Sequence, residues 1–198
     1  MNVIGVDGGN NGAFAVMNHR TGRIERIHDM PTFDMTVNNK KRTRIDAVGV
    51  YNLLAMEQML GCELVIIEAV GGRPSQSASA AFVFGYGVGL IYMACIALRL
   101  PIETVPPQEW KKLLRMPGKK DAAGKKAKEK DGMVVARADE LMPDARGLWR
   151  NERGTLKVDR AEAACIAKYG SDYRVRLDAR PALAVETILT YRHAETGA

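Results

Sequence analysis

The chain has 198 residues, of which 46% are hydrophobic and 26% charged, and a net charge of +6. This apolar content can bury the core of one ordinary globular domain. The three cysteines, Cys62, Cys95 and Cys165, lie in apolar contexts without CxxC or zinc-site spacing, so we expect reduced thiols and a cytoplasmic protein. The N-terminal residues lack the pattern of a secretory signal, and we do not expect export.

The first third of the sequence predicts three strands, a helix and a fourth strand. The runs VIGVD, GAFAVMN and GRIERIHDM are the strands of an opening meander. Residues 44–60 then carry apolar side chains at helical spacing: Ile45, Val48, Tyr51, Leu54 and Leu60. The run ELVIIE that follows is short and mostly apolar, as expected of a buried strand.

A long segment without charge occupies residues 74–98. As a helix it is long enough to span a membrane. Its serines at one end, the closely spaced Gly85, Gly87 and Gly89, and the lack of a second span all argue against that interpretation. We expect instead a soluble protein whose long helix is buried on more than one side, between a sheet and a second subunit.

The remaining elements complete an α/β alternation. IETV predicts a fifth strand, which ends at the Pro106-Pro107 break, and two helices follow near residues 133–142 and 159–169. We predict one domain over residues 1–170 and a helical extension over 171–198, with an amphipathic helix near 181–192.

The positive charge is concentrated in one segment. Between Lys111 and Lys130, nine Lys and Arg residues accompany two acids, a local charge of +7, so the rest of the chain carries −1 of the net charge of +6. Such a patch favours a polyanion partner such as nucleic acid, although a solvated loop is the alternative. We expect residues 111–132 to be mobile until they meet a ligand.

Four acids are placed where they can meet. Asp7 closes the first strand and Glu68 closes ELVIIE, so central strands of one sheet would deliver both to the same end. Asp159 and Glu162 are three residues apart, on one face of the last helix. Clustered carboxylates repel one another unless they bind a cation, and all-oxygen ligands favour Mg²⁺ or Mn²⁺. Two such ions can activate water for phosphodiester hydrolysis.

Each acid also has a simpler explanation. Asp7 precedes two glycines and fits a turn residue, and Glu68 fits a solvated strand end. Asp159 and Glu162 have the spacing of a helix N-cap and its capping-box partner. Only the combination of all four indicates a site.

The motifs around these acids resemble a known family. VIGVDGGNNGAFAV, LVIIEAVGGRPSQSASAAFVFGYGVG, VPPQEWKKLL and DRAEAACIAKYG, in this order over residues 2–170, are similar to the RuvC family of Holliday junction resolvases, particularly bacteriophage versions. The resemblance implies a ribonuclease H-like fold, in which a five-stranded mixed sheet is flanked by helices. It also implies a homodimer that acts on branched DNA as a Mg²⁺-dependent endonuclease, one active site nicking each of two opposed strands of a four-way junction.

The resemblance assigns roles to the four acids. Asp7 should be the ligand shared by two metal ions, Glu68 a second ligand, and Asp159 with Glu162 the pair on the helix. Asp159 would assist the attacking water. The family usually has Asp at the last position, so Glu162, which is longer by one methylene, requires a small shift of its helix.

A second departure concerns the junction centre. Studied members carry an aromatic residue shortly after the acid of the second strand, whereas this sequence has Gly71 three residues after Glu68. We expect Arg73, Phe82 or Phe84 to take over the contact with unpaired bases, although the two phenylalanines also fit a core or dimer interface.

The resemblance also sorts the basic residues. The family places a lysine near the scissile phosphate after the PPQEW motif, and this position corresponds to Lys111 or Lys112. The other candidate DNA contacts would hold the arms of the junction: Lys119, Lys120, Lys125 and Lys126.

Three other functions are open at this point. The GVDGGNNGAFAV motif also resembles the first phosphate loop of sugar kinases and actin-like ATPases, but those proteins need two lobes and a second glycine-rich turn. A nuclease of related fold that acts on ribosomal RNA precursors is usually shorter and lacks the basic insertion. A non-catalytic nucleic-acid-binding protein would follow if the acids bound no metal.

Overall fold

A computed structural model describes residues 1–37, 39–69, 77–117, 127–151 and 153–178. The strands are β1 (Asn2–Asp7), β2 (Ala13–Asn18), β3 (Arg23–Asp29), β4 (Thr32–Val37), β5 (Lys40–Ile45), β6 (Cys62–Glu68) and β7 (Ile102–Val105). The helices are α1 (Ala47–Met59), α2 (Ala78–Ala97), α3 (Pro107–Leu113), α4 (Ala127–Leu141) and α5 (Val158–Asp178), with a 3-10 turn at Pro143–Ala145. The helix predicted near residues 181–192 lies outside the described ranges.

A five-stranded mixed sheet forms the centre of the protein, as the sequence predicts. Its strand order is β3-β2-β1-β6-β7. The pairs β1–β2 and β2–β3 are antiparallel, whereas β1–β6 and β6–β7 are parallel. The opening meander therefore becomes one half of the sheet, and the two later strands extend it beyond β1.

Helices cover both faces of this sheet. The helices α1 and α2 complete the core on one face, and α4 and α5 complete it on the other. α5 lies directly on β1, because a Cβ atom at Gly5 would come within 2.1 Å of the Ala167 backbone nitrogen. Gly170 has the same role one helical turn later, where a Cβ would lie 2.5 Å from Ile66 Cγ1. These glycines set how closely the helix approaches the sheet.

A two-stranded hairpin, β4–β5, is absent from the sequence-based prediction. The two strands pair over their whole length and connect through a turn in which Asn39 has a φ of 57°, a conformation that asparagine tolerates. The prediction of a helix from residue 44 is therefore wrong at its start, since Arg44 and Ile45 belong to β5. α1 begins at Ala47 instead, with Asp46 as its N-cap.

The predicted buried face of α1 is also wrong. Val48, Tyr51 and Leu60 are exposed, and the helix buries Val50 and Leu54 together with a charged residue, Glu57. The apolar spacing in the sequence counted Ile45, which lies in the hairpin and not in the helix.

Glu57 is fully buried, and two residues of β3 compensate its charge. Its carboxylate accepts hydrogen bonds from Arg26 Nε at 2.9 Å and Arg26 Nη2 at 2.7 Å, while His28 Nε2 lies 2.8 Å from Oε1. Burial alone would raise the Glu57 pKa, but the bonds from His28 and Arg26 lower it to about 2. This ion cluster joins α1 to the edge of the sheet.

The long uncharged helix is confirmed at Ala78–Ala97, but only one side of it is buried in the part of the chain described here. That side consists of Gly87, Ile91, Ala94 and Cys95. Among the described helices, α2 alone is long and apolar enough to cross a membrane, a test that core helices of soluble proteins also pass.

The basic segment contains helix at both of its described ends. α3 and the start of α4 are helical, and α4 begins six residues before the predicted position, at Ala127. Pro107 occupies the first turn of α3, where a missing N–H has no cost. α5 also continues past its predicted end at Tyr169 to Asp178, through the position where we placed the domain boundary.

Candidate active site

Two neighbouring parallel strands end in acids. In the register of β1 and β6, Val6 is level with Ile67, so the next residues, Asp7 and Glu68, leave the sheet side by side. Parallel strands point their carboxyl ends in the same direction, which is why the two acids meet. The chain turns sharply after Asp7, and Gly12 permits this turn, because a Cβ there would lie 2.0 Å from the Asp7 carbonyl oxygen.

The N-terminal turn of α5 supplies the other two acids. The helix begins at Val158, so Asp159 lies inside the first turn, and the N-cap alternative does not describe it. Glu162 follows one turn later and is half-buried. Small residues let this turn approach β1 and β2, since Ala161, Ala163 and Ala164 are fully buried against the sheet.

Asp7 is the electrostatic centre of the four acids. Burial, together with the charges of Glu162, Asp159 and Glu68, raises its pKa from 3.8 to about 7. One bond opposes this shift, a long hydrogen bond of 3.4 Å from the Gly9 backbone N–H to Asp7 Oδ1. The interaction with all three partners places the predicted carboxylates in one cluster.

Asp159 is also destabilised as an anion. Burial raises its pKa, a bond from its own backbone lowers it, and the charges of Glu162 and Asp131 raise it further. Asp131 lies on α4, which packs against α5. The sequence does not predict this fifth acid, because Asp131 lies in a lysine-rich segment whose composition indicates only a cationic patch.

α3 contributes a tryptophan and a lysine to the cluster. Trp110 is fully buried and donates its indole N–H to Glu68 Oε1 over 2.9 Å. Lys111 Nζ lies 3.2 Å from Glu162 Oε1 and 4.8 Å above the Trp110 ring centre. Of the two lysines predicted to lie near the scissile phosphate, Lys111 is therefore in the cluster, while Lys112 is exposed on α3.

Arg160 fixes the start of α5. Its guanidinium donates from Nε to Asp29 Oδ1 at 2.6 Å and from Nη2 to Asp29 Oδ2 at 2.8 Å. The same side chain also donates to the carbonyl oxygens of Leu148 and Arg150. These bonds hold Arg160 at the end of β3. Because Arg160 lies between Asp159 and Glu162 in the sequence, the bonds also orient these two acids, although Arg160 itself is not part of the cluster.

The donor chemistry of the cluster fits a hard cation. All four side chains offer carboxylate oxygens, and their mutual repulsion would be relieved by a positive ion. Within the described ranges, no three His, Cys, Asp or Glu side chains are arranged to hold an ion as they stand. Glu68 accepts a hydrogen bond from Trp110, and Glu162 forms an ion pair with Lys111.

The other predicted DNA contacts are distributed differently. Phe82 is 73% exposed and Phe84 is half-buried, so neither is a core residue in the described chain. Gly71, which stands where the family has an aromatic residue, lies outside the described residues. So do the remaining candidate contacts: Arg73, Lys119, Lys120, Lys125 and Lys126.

The central sheet, with its flanking helices and the acids at the ends of β1 and β6, defines a ribonuclease H-like fold. The protein is similar in structure to Thermus thermophilus RuvC in complex with a Holliday junction substrate, with a TM-score of 0.57 and 14% identity over 88% of this chain and 96% of that chain. No protein-family model and no curated protein matches the sequence.

Two further solved structures are more distant. Thermus thermophilus RuvC in another structure gives a TM-score of 0.49 at 15% identity, over 89% of this chain and 97% of that chain. Fowlpox virus resolvase, in complex with its substrate Holliday junction DNA, gives a TM-score of 0.48 at 11% identity, over 88% of this chain and 99% of that chain. The likeness to the first structure supports the fold, which the RuvC resemblance of the sequence predicts.

Proposed function

We propose that this protein is a metal-dependent endonuclease that resolves four-way and other branched DNA junctions. The observation that carries the proposal is the cluster around Asp7, whose pKa is raised to about 7 by burial and by three further acids. Acids of this kind have little structural value without a cation, and they lie beside a lysine on a chain with a basic segment. The fold and the sequence resemblance favour DNA junctions as the substrate.

The proposed roles follow from the positions of the side chains. Asp7, Glu68, Asp159 and Glu162 would hold Mg²⁺ or Mn²⁺, which when bound supplies an activated water and a charge for the leaving oxygen. Lys111 would release Glu162 and contact the phosphate at the cleavage site. Trp110 would orient Glu68 through its indole N–H.

A homodimer is part of the proposal. The outer side of α2 exposes large apolar side chains at helical spacing, which a soluble protein normally covers: Phe82, Tyr86, Met93 and Ile96. The rings of the first two are stacked, with centres 6.4 Å apart. We also propose a cytoplasmic location, and the sequence motifs favour a bacteriophage-type resolvase.

The test is cleavage of a labelled four-way junction. Matched linear duplex, single-stranded DNA and structured RNA serve as competing substrates, each with Mg²⁺, Mn²⁺ or EDTA. We expect paired nicks in the junction that require the metal and disappear in Asp7→Asn while DNA binding persists. The control is Asp144→Asn, since Asp144 forms an exposed ion pair with Arg23 far from the cluster and its loss should leave cleavage unchanged.

Other outcomes would select another function. Preferential cutting of RNA would support the nuclease of ribosomal RNA precursors. Hydrolysis of ATP without cutting of any nucleic acid would move the protein to the actin-like class. DNA binding without cutting under any metal condition would leave a non-catalytic binding protein.

A further inference from the structure

The hairpin β4–β5 has two chemically different faces. Residues paired across antiparallel strands share one face. On one face every pair joins an apolar residue to a cation: Phe33 with Arg44, Met35 with Arg42, and Val37 with Lys40. On the other face the Asp34 carboxylate is already engaged, by Lys41 Nζ at 2.9 Å and by Thr43 Oγ1 at 2.8 Å. The first face therefore presents cations and apolar groups together.

A groove of about 680 Å³ separates this hairpin from the start of α2. Its lining includes Val37, Lys41, Arg42, Arg44, Ser77 and Phe84. Among the described residues, no Asp or Glu lines it. The N-terminal end of the 20-residue helix α2 also opens here, where its backbone N–H groups favour anions. A volume of this size is typical of sites that hold a small organic group.

The groove is attached to the candidate active site by a short connection. Asn10 follows Asp7 by three residues and lines the groove. Its side-chain amide donates a 3.0 Å hydrogen bond to the Thr43 carbonyl oxygen of β5. The base of the hairpin is held at the same end of the sheet, because the Met30 N–H donates to the Gly12 carbonyl. A ligand in the groove would therefore lie against the turn that follows Asp7.

We propose that this groove binds an unpaired stretch of DNA beside the scissile phosphate. Arg42 and Arg44 contact backbone phosphates, and a base that has left its stack lies against Phe84 and Val37. The proposal rests on the proposed nuclease function for the identity of its ligand. It adds a subsite for a single strand, on an element that the sequence motifs of the resolvases do not include.

Chemistry favours a nucleic acid strand over other ligands. Phosphates favour cations that are not neutralised by acids. Lys41 is paired with Asp34, but Arg42 and Arg44 line the groove without an ion pair among the described residues. Unpaired bases need aromatic or apolar surfaces, and Phe84 lies within the same groove, half-buried and not packed into the core. A groove that served only to receive an apolar protein helix would not require both Arg42 and Arg44, which share one face of the hairpin, in its lining.

The test compares two charge-reversal variants of the full chain. Arg42→Glu/Arg44→Glu changes the groove. Arg20→Glu/Arg99→Glu makes the same change of net charge at exposed positions toward the opposite end of the sheet. Binding of a labelled single strand, a four-way junction and a linear duplex is measured by fluorescence anisotropy in EDTA, over a range of salt concentrations. Thermal unfolding and light scattering confirm that each variant is folded and report its mass.

The groove variant should bind the single strand and the junction at least tenfold more weakly than wild type at about 0.1 M salt. The slope of log affinity against log salt should fall by about 1.4 for the single strand, because two phosphate contacts are lost at about 0.7 each. The control variant should lose much less affinity and keep most of the slope. Phe84→Ala should lower the affinity for the single strand roughly tenfold. The slope of log affinity against log salt should not change, since stacking is not ionic.

Equal affinities and equal salt slopes of the groove variant and the control variant would overturn the proposal. A groove variant that is monomeric while wild type is dimeric, with single-strand binding intact, would overturn it in favour of a second copy of the chain. The proposed nuclease function is tested separately, by cleavage. It is wrong if the wild-type protein cuts no junction with Mg²⁺ or Mn²⁺. Loss of DNA binding in the groove variant would then still support the groove as a binding site.

Discussion

The indole N–H of Trp110 donates to the carboxylate of Glu68 over 2.9 Å, and this contact joins α3 to the end of β6. Glu68 is thereby supported by a buried ring, although the two residues are 42 positions apart in the sequence. The next residue of α3, Lys111, lies over the same ring and reaches Glu162. One short helix thus positions two of the four acids.

The Trp110→Phe variant should separate this positioning from packing. Phenylalanine keeps most of the buried surface and removes the donor, so we expect a loss of about 1 kcal/mol of stability and a clear fall in the rate of junction cleavage. The rate at saturating DNA and the free energy of unfolding are the measurements.

Trp149→Phe is the matched control for that variant. Trp149 is also buried and donates its indole N–H to a carboxylate, Asp139 Oδ1, at 2.7 Å, but outside the acid cluster. The Trp149→Phe variant should lose about as much stability as Trp110→Phe, but it should cleave junctions at the wild-type rate. Equal rates in both variants would show that Trp110 has no positioning role.

Asp7→Asn should stabilise the metal-free protein above neutral pH. The folded-state pKa of Asp7 is raised from 3.8 to about 7, so ionisation costs the folded state increasingly between pH 4 and 7. At about 1.4 kcal/mol per pKa unit the ceiling is roughly 4 kcal/mol. Asparagine avoids this cost. The variant's gain in free energy of unfolding over wild type should therefore be complete above pH 7 and vanish as the pH falls toward 4.

Chemical denaturation in EDTA at several pH values measures this advantage. Addition of Mg²⁺ should then stabilise wild type more than the variant, because the cation offsets the same repulsion. If wild type is as stable as Asp7→Asn at pH 8 without metal, the acids do not repel one another as the structure indicates.

Glu57→Gln should destabilise the protein without a direct effect on catalysis. The change leaves Arg26 and His28 facing a neutral group in a buried position, and breaking such a cluster typically costs about 3 kcal/mol or more. Because the Glu57 pKa is lowered to about 2, its contribution is present above pH 4.5 and is lost as the pH falls toward 2.

Unfolding curves at pH 7 and pH 3 test this dependence. The difference between wild type and Glu57→Gln should be smaller at pH 3. Glu63→Gln, an exposed change on β6, provides the control and should be nearly neutral at both pH values. A pH-independent difference would assign the effect to packing.

Tyr86→Glu should convert a dimer into a monomer. A charge in the exposed apolar stripe of α2 cannot be buried against a second copy without a large cost. Light scattering at micromolar concentration measures the mass, and Tyr51→Glu, at an exposed residue of α1, is the control. Wild type that is already monomeric would remove the dimer from the proposal.

The sequence predicts the sheet and the four acids for the same physical reason. Apolar runs that end in a carboxylate can be recognised locally, and parallel neighbours must bring such ends together. The position of Asp7 beside Glu68 follows from those two facts alone. The spacing of Asp159 and Glu162 likewise follows from the helical period.

The elements that local patterns do not specify were missed. The residues of β4 and most of β5 are exposed, so burial gives their pairing no pattern of core positions, and the short asparagine turn is the only cue. Ile45 matched the helical spacing by coincidence, and this moved the predicted start of α1. The contact of Trp110 with Glu68 depends on tertiary packing, which no local pattern encodes.

The close approach of α5 to β1 at Gly5 also sets when the site is completed during synthesis. Asp7 is made 155 residues before Glu162 (162 − 7), which belongs to the last described helix. At about 5–20 residues per second, roughly eight to thirty seconds separate these two acids during translation. A nascent chain therefore carries an unfinished cluster until α5 has been made, and any chemistry that needs all four carboxylates begins only after α5 has docked on the sheet.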